Sequence, residues 1–220
     1  MEEGTEFDRL FYPFLFAGGS ASAEDVLAQV RHSTREKCRE LIALRHATLA
    51  QSGDRIVAAG VALARAFAAG ATLLAFGNGG STTDAQDIVA DLRAPPFAGS
   101  RPLPAIALTN DIAVVTAVGN DVGFDNVFAR QMIAFGRPGD IAVGISTSGN
   151  SANVLVALEQ AKKQELLTIA IAGYDGGKMA RSAVVDFCIT APSDHIPRIQ
   201  EAQATAYHAL LEVIFAALKD

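Results

Sequence analysis

From Ala71 to the carboxyl end, short apolar runs alternate with segments of helical, amphipathic pattern. The runs read ATLLAF, PAIALT, DIAVGIS, LLTIAIAG and VVDFCIT, and helical text separates them. A strand that is apolar throughout is covered on both faces, and parallel strands are joined by long crossovers, usually helices. The alternation therefore predicts four or five buried parallel strands in an α/β fold with helices on both faces.

Polar clusters follow or adjoin the predicted strand ends. They occupy residues 77–84, 109–111, 119–121 and 146–151. In open parallel sheets, ligands bind beyond the carboxyl ends of the strands. The clusters therefore predict a ligand site at that edge of the sheet.

Composition limits the class of protein and of ligand. The chain has 220 residues, half of them apolar, which favours one large domain with a sizeable core over two small ones. Its formal net charge is −6 without a basic run, which argues against nucleic acid as a partner. No signal-peptide or membrane-spanning pattern occurs, so we expect a cytoplasmic protein with no membrane partner and with Cys38 and Cys188 reduced.

The predicted organisation is an amino-terminal arm, residues 1–22, followed by a single domain, residues 23–220. Within that domain, a helical pair over 23–70 precedes an αβα core over 71–220. The pair has one helix near 23–50 and a second near 54–69. Both helices are rich in apolar residues, so the pair can pack against a symmetry mate as a bundle or onto its own sheet.

The loop ISTSGNSANV is rich in uncharged hydrogen-bond donors. It carries Ser146, Thr147, Ser148 and Ser151 around Gly149, between a predicted strand and a predicted helix. The free N–H groups and the dipole of a helix N-terminus favour an anion, and hydroxyls can donate to phosphate oxygens. The pattern predicts phosphate binding, with a simple helix cap bearing surplus serines as the alternative.

A second loop, FGNGGSTTDAQ, repeats the order of strand, glycines, serine and helix. Asn78, Gly79, Gly80 and Ser81 form its turn. The dinucleotide motif GxGxxG is absent, and no lysine of a Walker loop follows. Two such loops at one edge favour a phosphorylated small molecule as the ligand.

Two predicted helices carry candidate chemical groups. Asp84, Asp87 and Asp91 are spaced by three and four residues, so they share one face of the helix after Ser81. That face could simply be solvated, and for Asp84 a partnership with the helix dipole is the simpler interpretation. His208 lies in the last helix among apolar residues, where it could equally be a core or surface residue.

Five motifs in order resemble the sugar isomerase (SIS) domain family, and within it the phosphoheptose isomerases. They are GNGGS…DAQ, GND, ISTSGNSANV, GYDGGKMA and RIQEAQ…H, and the resemblance runs from about residue 25 to the carboxyl end. It implies a three-layer αβα sandwich with a mostly parallel, flavodoxin-like five-stranded sheet. It also implies a homotetramer with active sites at subunit interfaces, which interconverts sedoheptulose 7-phosphate and a heptose 7-phosphate.

Residue roles follow from the same resemblance. His208 would be the catalytic acid or base. The substrate contacts would be Asn78, Gly79, Gly80, Ser81, Asn120, Asp121, Ser146, Thr147, Ser148, Ser151 and Gln200.

The chain departs from the family at two positions of the implied zinc site. Asp87 stands where the family generally has histidine, and Asp91 stands where it has glutamate. The implied metal ligands become Asp87, Asp91, Gln200 and His208. Each change keeps an oxygen donor, so a divalent metal is feasible, but fewer imidazoles favour a harder ion over zinc.

Aldose–ketose isomerisation moves a proton between adjacent carbons through an enediol and needs an acid and a base. We hypothesise that Asp91 and His208 serve in these roles on opposite sides of the open-chain sugar. Two alternatives stay open. One is a non-catalytic relative that binds phosphosugars or a replication initiator protein, and the other is an isomerase for a different sugar phosphate.

Overall fold

The computed structural model describes residues 23–219, so the predicted arm, 1–22, lies outside the described residues. The helices are α1 Ala23–Ala68, α2 Gly80–Arg93, α3 Ile112–Asp121, α4 Val127–Phe135, α5 Ala152–Lys163, α6 Gly177–Arg181 and α7 Ile196–Ala217, with a 3₁₀ turn at Phe124–Asn126. The strands are β1 Leu73–Gly77, β2 Ala105–Ala107, β3 Ile141–Ser146, β4 Leu167–Gly173 and β5 Phe187–Ala191.

The five strands form one parallel sheet in the order β2-β1-β3-β4-β5. This is the flavodoxin-like order, so the predicted α/β fold and its five-stranded sheet are confirmed. β1 and β3 are neighbours, and Gly77 pairs with Ile145 where both strands end. The loops that follow these two strands therefore start side by side.

Alternate residues of each strand face opposite helical layers, as the two-residue period of a strand requires. Leu73 belongs to a core cluster with residues of α1, α2 and α7. Leu74, the next residue, belongs to a second cluster with residues of α4 and α5. α2 and α7 thus share one face of the sheet, which brings their side chains together.

The predicted helical pair is a single helix, α1, of 46 residues. The break was expected at Ser52 and Gly53, which favour caps and turns, but both are helical. The fully buried Ser52 hydroxyl donates to the Thr190 carbonyl and accepts from the Thr190 N–H, at 3.1 and 3.0 Å. These bonds to β5 stabilise serine inside the helix, and a helical glycine costs only about 1 kcal/mol relative to alanine.

The chain divides into two compact units between Arg39 and Glu40. The described part of the first unit is helical and largely exposed, whereas the second contains the sheet and every site residue considered below. Neither Cys38 nor Cys188 forms a disulfide. Among the described residues, no helix is long and apolar enough to cross a membrane.

Candidate functional site

The hydroxyl-rich loop turns from β3 into α5. The Ser146 Oγ lies 2.9 Å from the Ser151 Oγ and 3.5 Å from the Ser148 Oγ, so three hydroxyls are gathered within one turn of chain. Ser151 occupies the cap position of α5, yet its side chain makes no capping bond. This geometry favours the predicted anion site over a plain cap, because the hydroxyls face each other and the first N–H groups of the helix stay available.

The hydroxyl-rich loop packs against a second glycine-rich turn, which follows β4. Gly149 has a φ of +64°, and a Cβ there would lie 2.1 Å from the Gly176 carbonyl oxygen. The Met179 N–H donates to the Gly149 carbonyl at 3.0 Å, and the Lys178 N–H donates to the Asn150 Oδ1 at 3.0 Å. The GYDGGKMA motif therefore supports the loop from the end of β4, a role that the sequence analysis did not assign.

The loop after β1 contacts α7. A Cβ on Gly80 would lie 2.0 Å from the Gln200 Nε2, so the absence of a side chain at Gly80 lets Gln200 approach the start of α2. Ser81 is buried beside it, and the Thr82 hydroxyl donates to the Gly77 carbonyl at 2.9 Å. The structure thus brings Gln200 to the GNGGS loop, and its contact with substrate stays a prediction.

A pair of asparagines joins the two loops. Asn78 and Asn153 each donate from Nδ2 to the other's Oδ1, both at 2.8 Å. Asn78 directly follows β1, and Asn153 lies in the first turn of α5. The sequence did not indicate Asn153, because its partner is 75 residues away in the chain.

The predicted acid–base side chains come together across α2 and α7. The His208 Nε2 lies 3.5 Å from the Asp87 Oδ2 and 3.6 Å from the Asp91 Oδ2. His208 and Asp87 are about half exposed, and Asp91 is less exposed. At 3.6 Å, His208 and Asp91 leave no room for a sugar between them, so the hypothesis that they lie on opposite sides of the open-chain sugar is wrong for this arrangement. An imidazole beside two carboxylates, open to solvent, can exchange protons with a solute on one side of the pair.

Tyr207 also belongs to this cluster. Its hydroxyl donates to the Asp87 Oδ2 at 2.7 Å, and its ring centroid lies 4.6 Å from that of His208. Burial and the neighbouring Asp87 raise the pKa of Tyr207, so the phenol stays a donor. Tyr207 was not predicted as a site residue, although it directly precedes the candidate histidine in the sequence.

Asp84 lies in the same cluster and has a perturbed pKa. Burial first, and then the charge of Asp87, raise the pKa of Asp84 to about 6, while His208 acts in the opposite direction. Its Oδ2 is buried without a hydrogen-bond partner. Asp84 lies beyond the first turn of α2, where the helix dipole has little effect, so the dipole interpretation does not account for Asp84.

The predicted metal ligands meet only in part. Asp87 and Asp91 flank His208, but one Asp87 oxygen already accepts from Tyr207. Within residues 23–219, no group of three or more His, Cys, Asp or Glu side chains is arranged to hold a metal ion. The metal therefore stays a prediction.

Asn120 and Asp121 occupy a different place from the one predicted. They end helix α3 instead of forming a turn beside a strand end, because the apolar IAVV pattern continues as a helix up to Asp121. The Asn120 Nδ2 donates to the Asp121 Oδ1 at 2.7 Å, and both side chains are exposed. Their role in substrate contact stays a prediction.

A cavity of about 230 Å³ opens beside the loop after β1. Asn78, Gly79 and Thr82 line one side of it, and apolar side chains that include Phe124 and Phe128 line the other. Solute can therefore reach the GNGGS loop from this side.

Comparison with known proteins places this geometry among sugar isomerases. The family profile described as "SIS domain" matches residues 38–173. The phosphoheptose isomerase of Geotalea daltonii is 49% identical over 152 residues, 69% of this chain and 78% of the relative. That of Rhodospirillum rubrum is 47% identical over 161 residues, 73% and 84% of the two chains.

Solved structures agree with these relatives. The phosphoheptose isomerase from Neisseria gonorrhoeae has a TM-score of 0.78 at 35% identity, covering 85% of this chain and 99% of its own. The phosphoheptose isomerase from Francisella tularensis has a TM-score of 0.74 at 34% identity, covering 88% and 98%. The resemblance drawn from the motifs is confirmed.

Proposed function

Because the chain belongs to the SIS domain family and its relatives are phosphoheptose isomerases, we propose that it interconverts sedoheptulose 7-phosphate and a heptose 7-phosphate. The observation that carries the proposal is the position of the His208 imidazole, 3.6 Å from the Asp91 carboxylate. That pair projects from α2, which begins at the GNGGS loop, and from α7, which contacts the same loop through Gln200.

The phosphate of the substrate binds at the β3–α5 loop in this proposal. Ser146, Thr147, Ser148 and Ser151 supply hydroxyl donors, and the free N–H groups at the start of α5 add to them. No lysine or arginine lies within this loop, so recognition depends on neutral donors and the helix dipole. The GNGGS loop and Gln200 contact the sugar.

The reaction is a proton transfer between adjacent carbons of the open-chain sugar. Asp91 takes the proton from the carbon next to the carbonyl, and His208 gives a proton to the carbonyl oxygen, which forms an enediol. His208 then takes the proton from the other hydroxyl, and Asp91 gives its proton to the former carbonyl carbon, which completes the exchange without any oxidant or reductant. A non-catalytic relative would not need a carboxylate and an imidazole that face each other in this way.

A divalent cation remains a secondary part of the proposal. Its ligands would be Asp87, Asp91, Gln200 and His208, and it would polarise the carbonyl of the bound sugar. Three of these four side chains donate oxygen, which suits a harder ion better than zinc. Every step above uses only the side chains of the chain itself.

Assembly and location complete the proposal. The described residues carry an apolar groove between α1 and α7, lined by Leu49, Ile56 and Ala209 among others. Such a surface supports a homotetramer in which neighbouring subunits border each active site. We place the reaction in the cytoplasm.

The test is turnover of sedoheptulose 7-phosphate by the purified protein, and by Asp91→Asn and His208→Ala. General acid–base groups contribute about 10²–10⁴-fold, so we expect kcat to fall by at least about 100-fold in each variant. Glu159→Gln, an exposed carboxylate on α5, is the control and should retain full kcat. Full activity in both site variants would overturn the assignment of Asp91 and His208.

A further inference from the structure

The two loops of the proposed site are joined by buried amides. Asn153 lies in the first turn of α5, and its side chain is buried, with the residue only 2% exposed. A buried amide is costly unless its donors and acceptors are paired, and here Asn78 supplies the partner. Each residue donates one N–H to the other and accepts one, both at 2.8 Å, so the pair is neutral and reciprocal.

This pairing orients the side chain of Asn78. Its Nδ2 and Oδ1 each make one hydrogen bond with Asn153, and the second N–H and the second lone pair remain for the substrate contact that the resemblance implied. The main-chain carbonyl of Asn78 accepts from the Ser81 N–H at 3.0 Å, at the start of α2. Asn78 is therefore fixed at both its side chain and its backbone, between β1 and α2.

The two elements that the amides join would contact opposite ends of the proposed substrate. α5 begins at the hydroxyl loop that would hold the phosphate. α2 begins at the GNGGS loop and carries Asp87 and Asp91 farther along. The distance from the phosphate to the reacting carbons is fixed by the length of the sugar, so the spacing between these elements must match it.

We propose that Asn153 is a positioning residue that, through its paired bonds with Asn78, sets the spacing between the phosphate loop and the carboxylates of α2. The inference rests on the proposed function, since it assumes that the phosphate lies at the β3–α5 loop. It identifies the Asn78–Asn153 pair as a determinant of substrate length. A displacement of about 1 Å at a reacting centre can cost on the order of a hundredfold in rate, so loss of the pair should act mainly on kcat.

Asn153→Ala tests the proposal. We expect kcat for sedoheptulose 7-phosphate to fall about 10–100-fold. The inhibition constant of inorganic phosphate should change less than about threefold, because the hydroxyls of the loop remain on their own turn. The preference for sedoheptulose 7-phosphate over a pentulose 5-phosphate should shrink by about tenfold, because the spacing is no longer fixed.

The matched control is Gln131→Ala. Gln131 is also a buried amide, and its Nε2 donates to the Leu108 and Val127 carbonyls at 2.8 and 3.0 Å. This variant should lower the melting temperature but leave kcat per folded molecule and the length preference unchanged. The double variant, Asn78→Ala with Asn153→Ala, should have a kcat no lower than that of the less active single variant, because both substitutions remove the same hydrogen bonds.

If Asn153→Ala does not fold, Asn153→Asp takes its place, since it keeps the shape and replaces the NH2 group that donates to the Asn78 Oδ1 with an acceptor oxygen. Wild-type kcat and length preference in the variant that folds would overturn the proposal. So would loss of phosphate inhibition as complete as the loss of turnover, which would make Asn153 part of the phosphate site. Wild-type protein that turns over no sugar phosphate would instead overturn the proposed function, and the inference with it.

Discussion

Asp87 is the side chain around which the proton donors of the site are arranged. Tyr207 donates a hydrogen bond to it, and its charge contributes to the raised pKa values of both Tyr207 and Asp84. The His208 Nε2 faces the same Asp87 oxygen at 3.5 Å. Substitutions at Asp87 or at its neighbours should therefore also change how the His208 imidazole is oriented.

Tyr207→Phe removes the hydroxyl that holds Asp87 and leaves the buried ring in place. A hydrogen bond to a charged group contributes about 1.5–3 kcal/mol, so we expect the free energy of unfolding to fall by up to about that amount. We also expect kcat to fall by about tenfold, because Asp87 is no longer oriented beside His208.

Thermal unfolding and steady-state kinetics measure the two effects. Tyr174→Phe is the control, because Tyr174 is exposed and lies outside the acid–base cluster. An unchanged melting temperature together with unchanged kcat in Tyr207→Phe would show that the 2.7 Å contact has no energetic role.

Asp84→Asn should stabilise the protein at neutral and alkaline pH. The folded-state pKa of Asp84, about 6, is above the value of 3.8 for a free carboxyl, so the folded state favours the protonated form. The resulting stability is present in full below about pH 4 and is lost as the pH rises through about 6. We expect the variant to melt about 2–4 °C above wild type at pH 8 and to match it near pH 4.

Melting curves from pH 4 to pH 8 test this expectation, with Asp54→Asn as the exposed control on α1. A constant difference across the range would mean that Asp84 does not lose a proton within it. A variant less stable than wild type at pH 8 would mean that its buried Oδ2 has a partner such as water.

Sequence spacing found the residues that share a helix face, but not those that meet across the fold. Asp91 and His208 were predicted as a pair because Asp91 stands where the family has glutamate and His208 matches its last-helix histidine, and the structure brings them together. Asn153 and Tyr207 were missed, because their roles depend on partners 75 and 120 residues away. No periodicity within one segment contains that information.

At the scale of the element, local preference and tertiary contact compete. Serine and glycine near residue 52 predicted a helix break, but bonds from Ser52 to β5 extend α1 through it. GND predicted a turn, but its last two residues end α3. In both places the sequence marked a polar position correctly, whereas packing determined where the element begins or ends.

Gly149→Ala tests whether the two glycine-rich turns position the phosphate loop. An alanine there would adopt an unfavourable positive φ and would clash with the Gly176 carbonyl, a backbone atom that cannot move cheaply. We expect the inhibition constant of inorganic phosphate to rise at least about tenfold, and the free energy of unfolding to fall by about 2–4 kcal/mol.

Gly139→Ala is a closely matched control. Gly139 also has a positive φ, of +88°, but a Cβ there meets nothing within 4 Å. It should cost about 1–2 kcal/mol of stability and leave phosphate inhibition unchanged. Equal effects of both variants on phosphate inhibition would contradict a specific role for the contact between Gly149 and Gly176.

At the scale of the molecule, strand order explains why the site lies where it does. The chain goes from β1 outward to β2 and then returns to place β3 on the other side of β1. The loops after β1 and β3 therefore leave the sheet in opposite directions, which creates a crevice at their shared edge. The polar clusters in the sequence predicted that the site lies at this edge of the sheet. The pattern of one chain cannot show which of its surfaces contact a second subunit.

The groove between α1 and α7 is the surface that we expect to meet another subunit. Leu49 and Val57, on α1, are 65% and 54% exposed, and both line this groove with residues of α7. Apolar side chains grouped in one groove are covered at stable interfaces, so we expect this groove to be an interface of the proposed tetramer of 23.0 kDa chains. Leu49→Glu places a charge in that interface and should shift the protein to smaller species.

Light scattering coupled to size exclusion measures the mass, and a parallel assay measures kcat. Ile133→Glu is the control, since Ile133 is an equally apolar, half-exposed residue on α4, away from the groove. If neighbouring subunits border each active site, kcat should fall together with the tetramer fraction in Leu49→Glu and recover at high protein concentration. A tetramer that persists in Leu49→Glu would place the interface elsewhere, and a fully active monomer would show that each chain carries a complete site.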